Sequence, residues 1–182
     1  MKKNRMHNKK AVLLEYGIYL FIVVFVLFLA PNFLMEKVAV DGTSMENTLF
    51  DEEHILIEKV SRYFDGPERF DIVVFTKEDG TTKRTYVKRI IGLPEETIQI
   101  VGNQIYVDGT ILQETYGKTP IDMAGIAGEE ITLGKDEYFV LGDNRAVSLD
   151  SRQASIGAVK KEELDGVVVL RVAPLAAFGK VE

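Results

Sequence analysis

Hydrophobic positions follow two regimes along this chain. From Gly17 to Met35, "GIYLFIVVFVLFLAPNFLM", they run through 19 residues without a charge. No polar stripe divides the segment, so it lacks the one-sided pattern of a helix lying on a soluble core. As a helix it would extend about 28 Å, close to the hydrocarbon thickness of a bilayer. Beyond Glu36 the apolar runs become short and sit between turn residues. They are "VAV" (38–40), "HILIEKV" (54–60), "DIVVF" (71–75), "TYVKRII" (85–91), "TIQIV", "QIYVDG", "EITL", "EYFVLGD" and "VVVLRV". Such runs predict strands, and Gly102-Asn103 between two of them predicts a two-residue hairpin turn. Only "VKKEEL" (159–164) has a helical look. "GKTPIDMAGIAGE" (117–129), with three glycines and no period, reads as a loop, part of an insertion over about 111–130. Strands without alternating helices predict a mainly β fold. We expect an antiparallel β-rich core, barrel-like or sandwich, preceded by one N-terminal transmembrane helix.

Charge sharpens the division. Residues 1–35 carry Lys2, Lys3, Arg5, Lys9 and Lys10 against Glu15, a local charge of +4, whereas the whole chain is at −6. The remainder therefore carries −10. Basic residues just before an apolar span place that end in the cytoplasm. The expected layout is a cytoplasmic basic tail (1–16), a transmembrane signal-anchor (17–35) and an extracytoplasmic β-rich domain (36–182), single-pass in the cell membrane. A cleaved signal peptide fits poorly: the apolar run is long for one, and the best bond, Ala30–Pro31, is followed by proline. The acidic body argues against nucleic acid as a partner. With no cysteine and two histidines, there is no disulfide framework and little material for a transition-metal site, so we expect no metal.

Candidate chemistry begins at "GTSMENTL" (42–49), which reads like a turn around a reactive serine, Ser44. A serine hydroxyl needs a base within hydrogen-bond reach. His7 falls in the tail and His54 at the start of a strand, so neither is placed for the task. Lysine can serve when burial keeps its amine neutral. In "TYVKRIIG" strand alternation puts Tyr86, Lys88 and Ile90 on one face, with Lys88 between an aromatic and a branched aliphatic. "GDNRAVSLDSR" (142–152) then concentrates two acids, two arginines, two serines and an asparagine at the end of the strand "YFVL". By composition alone that run is also what a hydrated turn looks like.

In order and spacing, "SMENTL", "RFDIVVF", "YVKRIIGLP" and "GDNRAVSLDSR" resemble the bacterial type I signal peptidases, in the compact single-anchor form of Gram-positive bacteria. The resemblance covers about 38 to 175. It implies a β-rich core with a smaller insertion and a Ser-Lys dyad that cuts leader peptides from secreted preproteins. Carried over by position, Ser44 is the nucleophile and Lys88 the general base. Ser148 orients the lysine amine, Asp143 and Arg89 form an ion pair beside the site, and Asp150 and Arg152 support the last motif. Met45 shapes the primary pocket. Val38, Val40, Leu49, Ile55, Tyr86 and Val87 line shallow pockets for small side chains. The implied partners are signal-peptide-bearing preproteins, the bilayer and a secretion channel nearby. No metal or nucleotide signature appears, so we expect no cofactor, and a monomer is the default expectation. Three positions depart from the pattern: Asn47 where proline is usual, Phe70 where glycine is usual, and Gly42 where some members carry a serine.

Self-cleaving repressors share the Ser-Lys chemistry but would need a DNA-binding domain and no anchor. Signal peptidases of the eukaryotic type use histidine in place of Lys88. The remaining alternative is a non-catalytic or narrow-substrate relative serving pilus or surface-fibre assembly. Non-catalytic relatives lose the serine or the lysine, and this chain keeps both.

Overall fold

The computed structural model describes residues 2–26, 34–64, 66–79 and 82–181. The chain divides into two units, 1–36 and 37–182. In the first, a helix (α1, Lys2–Val24) begins in the basic tail and ends well inside the expected span. Only Gly17–Val24 of the apolar run therefore belongs to it, the larger part of the helix lying in the tail. Among the described residues no helix is long and apolar enough to cross a membrane. Residues 27–33 of the expected span lie outside the described residues.

Beyond the helix the chain is built from two antiparallel sheets. The larger takes β1 (Met35–Ala39), β2 (His54–Glu58), β3 (Ile72–Asp79), β4 (Thr82–Gly92), β9 (Glu137–Leu141), β10 (Val159–Lys160) and β11 (Leu164–Ala173). Their spatial order is β1-β2-β11-β3-β4-β9-β10. The smaller takes β5 (Thr97–Val101), β6 (Gln104–Val107), β7 (Thr110–Ile111) and β8 (Ile131–Thr132), in the order β7-β6-β5-β8. Val101 faces Gln104 across Gly102-Asn103, and Gly102 has φ +60°, so the two-residue hairpin read from the sequence is present. Between β7 and β8 the chain is irregular apart from one 3-10 turn at Gly125–Gly128.

The helix expected at 159–164 is absent. Val159 and Lys160 pair with β9, Lys161–Glu163 make a single 3-10 turn, and Leu164 opens β11. Six residues are too few for a helix to stabilise itself. Val159 and Leu164 are instead buried in the cluster that contains Val73, Phe75, Ile90 and Val140.

Two features of this framework position the site. First, β4 pairs with β3 along its length, from Ile72↔Arg89 to Asp79↔Thr82, but with β9 only from Arg89 onward. Among the described residues the half of β4 that ends at Lys88 thus has no strand on its second side. Second, Val40, Met45, Leu49, Ile55, Ile57, Val74 and Val87 form one buried cluster. It fixes the segment around Ser44 onto the face of β2 and β4.

Candidate active site

Ser44 sits in a tight hydrogen-bonded turn. Amide groups of Glu46, Thr48 and Leu49 donate to the carbonyls of Thr43, Met45 and Met45 at 3.2, 3.0 and 2.8 Å. Met45 and Leu49, four apart, share the inner face of that turn and are fully buried. Ser44 is left half-buried on another face. Gly42 enters the turn at φ +89°, a left-handed conformation that side chains strain to adopt, and its N–H donates to Asp51 Oδ1 at 2.8 Å.

Lys88 reaches this turn from β4. Its Nζ lies 2.7 Å from Ser44 Oγ and donates to the Val87 carbonyl at 2.8 Å. The Tyr86 ring centroid is 5.8 Å away. Only 3% of Lys88 is exposed. Burial lowers its pKa from the ordinary 10.5 to about 8, against the upward pull of the Asp150 and Asp143 carboxylates. A substantial neutral fraction at neutral to mildly alkaline pH follows. In that form the amine can accept the hydrogen of Ser44.

The motif at 142–152 closes around both residues. The amide of Asn144 donates to the Ser44 carbonyl at 3.0 Å, and its side-chain Nδ2 to the Thr43 carbonyl at 3.1 Å. Gly142 lies so close that a Cβ there would collide with Ser148 Oγ and the Ser44 carbonyl. Asp143 takes two bonds from Arg89, at 2.9 and 2.8 Å, and one from Thr48 Oγ1 at 2.5 Å. All three sit at or under the turn. Arg152 forms a second two-pronged pair with Asp150, at 2.8 and 2.9 Å, while Asp150 Oδ2 accepts the Gly142 amide at 3.1 Å. These buried charges are paired, which is the condition for tolerating them. Arg89 also donates to the carbonyl of Phe70, whose φ is +74°, so the glycine-like position is occupied by an aromatic in a left-handed conformation.

An open groove of about 770 Å³ lies at this cluster, lined by residues 38–45, residues 83–88, Val147 and Leu149. Val38, Val40, Met45, Tyr86 and Val87 line it. Leu49 and Ile55 do not; both are completely buried in the cluster beneath. Ser148 is buried nearby, but its Oγ makes no hydrogen bond among the described residues, to Lys88 or to any other group. Reading the sequence did not single out Asn144 or Thr48, although both stand inside quoted motifs. It also missed Arg145 and its partner Glu114, 3.0 Å away, and Tyr116, whose ring lies 3.7 Å from the Arg89 guanidinium. Glu114 and Tyr116 come from the irregular segment after β7, where no period or motif marks them.

Comparison with known proteins points one way. Residues 13–173 match the profile of the family described as signal peptidase, peptidase S26. Signal peptidase I P of Bacillus subtilis subsp. natto is 35% identical over 174 residues, 91% of each chain. Signal peptidase I of Bacillus amyloliquefaciens is 36% identical over 166 residues, 87% of each chain. A crystal structure of a signal peptidase I from Enterococcus faecalis V583 is 33% identical, with a TM-score of 0.44, covering 56% of this chain and 95% of its own. The match spans nearly the whole chain at more than 30% identity, and the chain belongs to the signal peptidase family, peptidase S26.

Proposed function

We propose that this protein is a membrane-bound serine endopeptidase, a type I signal peptidase, that removes N-terminal signal peptides from secreted preproteins. Ser44 is the nucleophile and Lys88 the general base. The observation that carries this reading is the buried Lys88 amine 2.7 Å from Ser44 Oγ, both in the lining of an open groove.

The substrate lies extended in the groove, pairing its backbone with the open half of β4 and with the segment before Ser44. Val38, Val40, Met45, Tyr86 and Val87 leave room there for small side chains. Neutral Lys88 takes the Ser44 proton as Oγ attacks the scissile carbonyl carbon. The Ser44 amide, which donates to no other group among the described residues, faces the developing oxyanion; one such donor is worth about 3 kcal/mol. The intermediate collapses by expelling the amine of the mature chain, which takes the proton back from Lys88. Water, deprotonated by Lys88, then cleaves the acyl-enzyme. Asp143 with Arg89, and Asp150 with Arg152, hold the turn and the last motif in place, and Ser148, whose buried hydroxyl has no partner among the described residues, is the group that would orient the amine. The basic tail (1–16) and apolar run (17–35) support a single-pass anchor, with the tail cytoplasmic and the β-rich body outside, beside the secretion channel. The enzyme acts as a monomer without cofactor.

The test is cleavage of a preprotein with an Ala-X-Ala leader, added outside right-side-out vesicles that carry the full chain. Wild type should cleave at the leader junction, and Ser44→Ala and Lys88→Ala should fall at least 10³-fold. A folded Lys88→Ala variant that cleaves like wild type would remove Lys88 as the base. Cleavage only after the vesicles are opened would reverse the proposed topology.

A further inference from the structure

The segment after β7 reads as a loop or insertion in the sequence, and residues 114–119 of it cross the site as a strap. Glu114 caps the strap's own backbone, its Oε2 accepting the amides of Tyr116 and Gly117 at 2.8 and 3.3 Å, while its Oε1 accepts from Arg145. The Lys118 amide donates to the Asp143 carbonyl at 2.7 Å, and its Nζ to Glu46, two residues after Ser44, at 2.6 Å. Thr119 Oγ1 accepts the Ala146 amide at 2.9 Å. At the centre of the strap is Tyr116. Its ring lies 3.7 Å from the carbon of the Arg89 guanidinium and 5.2 Å from the Phe70 ring.

Arg89 is almost fully buried, and its guanidinium is bonded on its edge to Asp143, the Phe70 carbonyl and Thr48 Oγ1. Those bonds fix its plane. They leave the face of the guanidinium, and Tyr116 covers it. An aromatic face attracts a cation, more strongly out of water. The ring therefore both shields the Arg89–Asp143 pair from water and sets the height of Arg89 against Thr48, which belongs to the same turn as Ser44.

We propose that Tyr116 is a positioning residue of the reaction, acting through Arg89, Asp143 and Thr48 on the turn that presents Ser44. The proposal rests on the signal-peptidase reading of this site. It gives the small sheet a role, because the strap that leaves it carries the ring. Only the π face is required. Tyr116→Phe should keep kcat and KM within about twofold of wild type. Tyr116→Leu keeps apolar bulk but no π face. It should lose about tenfold in kcat with KM within about twofold, the size of one desolvated cation–π contact. With Arg89 less well held, the Asp143 charge is less compensated, and the midpoint of the pH–kcat profile should move up.

Replacing Tyr116 by pentafluorophenylalanine preserves the ring's shape and reverses the sign of its face, and keeps the test decisive if Tyr116→Leu fails to fold. It should lower kcat as the Leu variant does. The measurements use the full chain in detergent with an Ala-X-Ala leader substrate, each variant's folded fraction checked by thermal melting. Two results overturn the proposal: a pentafluorophenylalanine enzyme with the kcat and pH midpoint of the Phe variant, or losses in kcat that track folded fraction alone. Failure of the functional reading would look different, since wild type itself would then cleave nothing.

Discussion

Lys88 carries a cost that only its chemistry explains. The side chain is buried and its pKa falls from 10.5 to about 8, which corresponds to a penalty on the order of 3 kcal/mol while the amine is charged. Because the folded-state value is the lower one, the unfolded chain binds the proton more tightly. The penalty is therefore complete below pH 8 and fades as pH rises from about 8 to 10.5. Lys88→Met, close in length and uncharged, should abolish cleavage yet be more stable than wild type by about 2–3 kcal/mol at pH 7. Denaturant titrations at several pH values check this: the gap should narrow toward pH 10.5. A Met variant less stable than wild type at pH 7, or a gap independent of pH, would contradict the burial account. The residue type and its strand face were legible in "TYVKRII". What the alternation could not convey is that the other face is buried too, by Val87, Arg89 and Ile91.

At the scale of elements, strands and their turns followed from local pattern, while the short pieces did not. The β5–β6 hairpin was legible because Gly102-Asn103 has the turn chemistry that sets its register. Val159–Leu164 was misread because its helix-like composition loses to strand pairing with Tyr138 and to burial at both ends. The turn after Ser44 shows a subtler difference. Asn47 has φ +101°, whereas proline, the usual residue there by resemblance, is fixed near −65°. This turn is thus built differently, around a residue type that tolerates left-handed backbone. Asn47→Gly should leave stability within about 0.5 kcal/mol and kcat unchanged within twofold. Asn47→Pro should cost about 3 kcal/mol or more and lower kcat at least tenfold. Thermal melting with steady-state assays decides it; a proline variant as stable and active as wild type would mean the turn readily takes the other form.

At the scale of the whole molecule, the site is a product of long-range assembly. Ser44 comes from the first third of the chain, Lys88 from its middle, and the residues that clamp them from 142–152. Each segment was recognisable alone, but their union was not: no pattern in sequence states that Asn144 bonds the Ser44 carbonyl or that Tyr116 covers Arg89. The opposed charges of the tail and the body were visible from the start, and they frame the anchor proposed for 17–35. The pKa of Lys88 likewise belongs to the assembled fold. It balances burial between β4 and the nucleophile turn against Asp143 and Asp150, each tied to its own arginine.

That balance can be measured directly. We would label the lysine Cε carbons with ¹³C, assign the Lys88 signal by its loss in Lys88→Met, and titrate the full chain in detergent from pH 6 to 11. The account predicts that this amine titrates near 8, well below the exposed lysines, and that kcat/KM for leader cleavage rises with the same midpoint. An Lys88 amine that stays protonated to about pH 10 while cleavage proceeds at neutral pH would contradict it, because the proton of Ser44 would then have to go elsewhere.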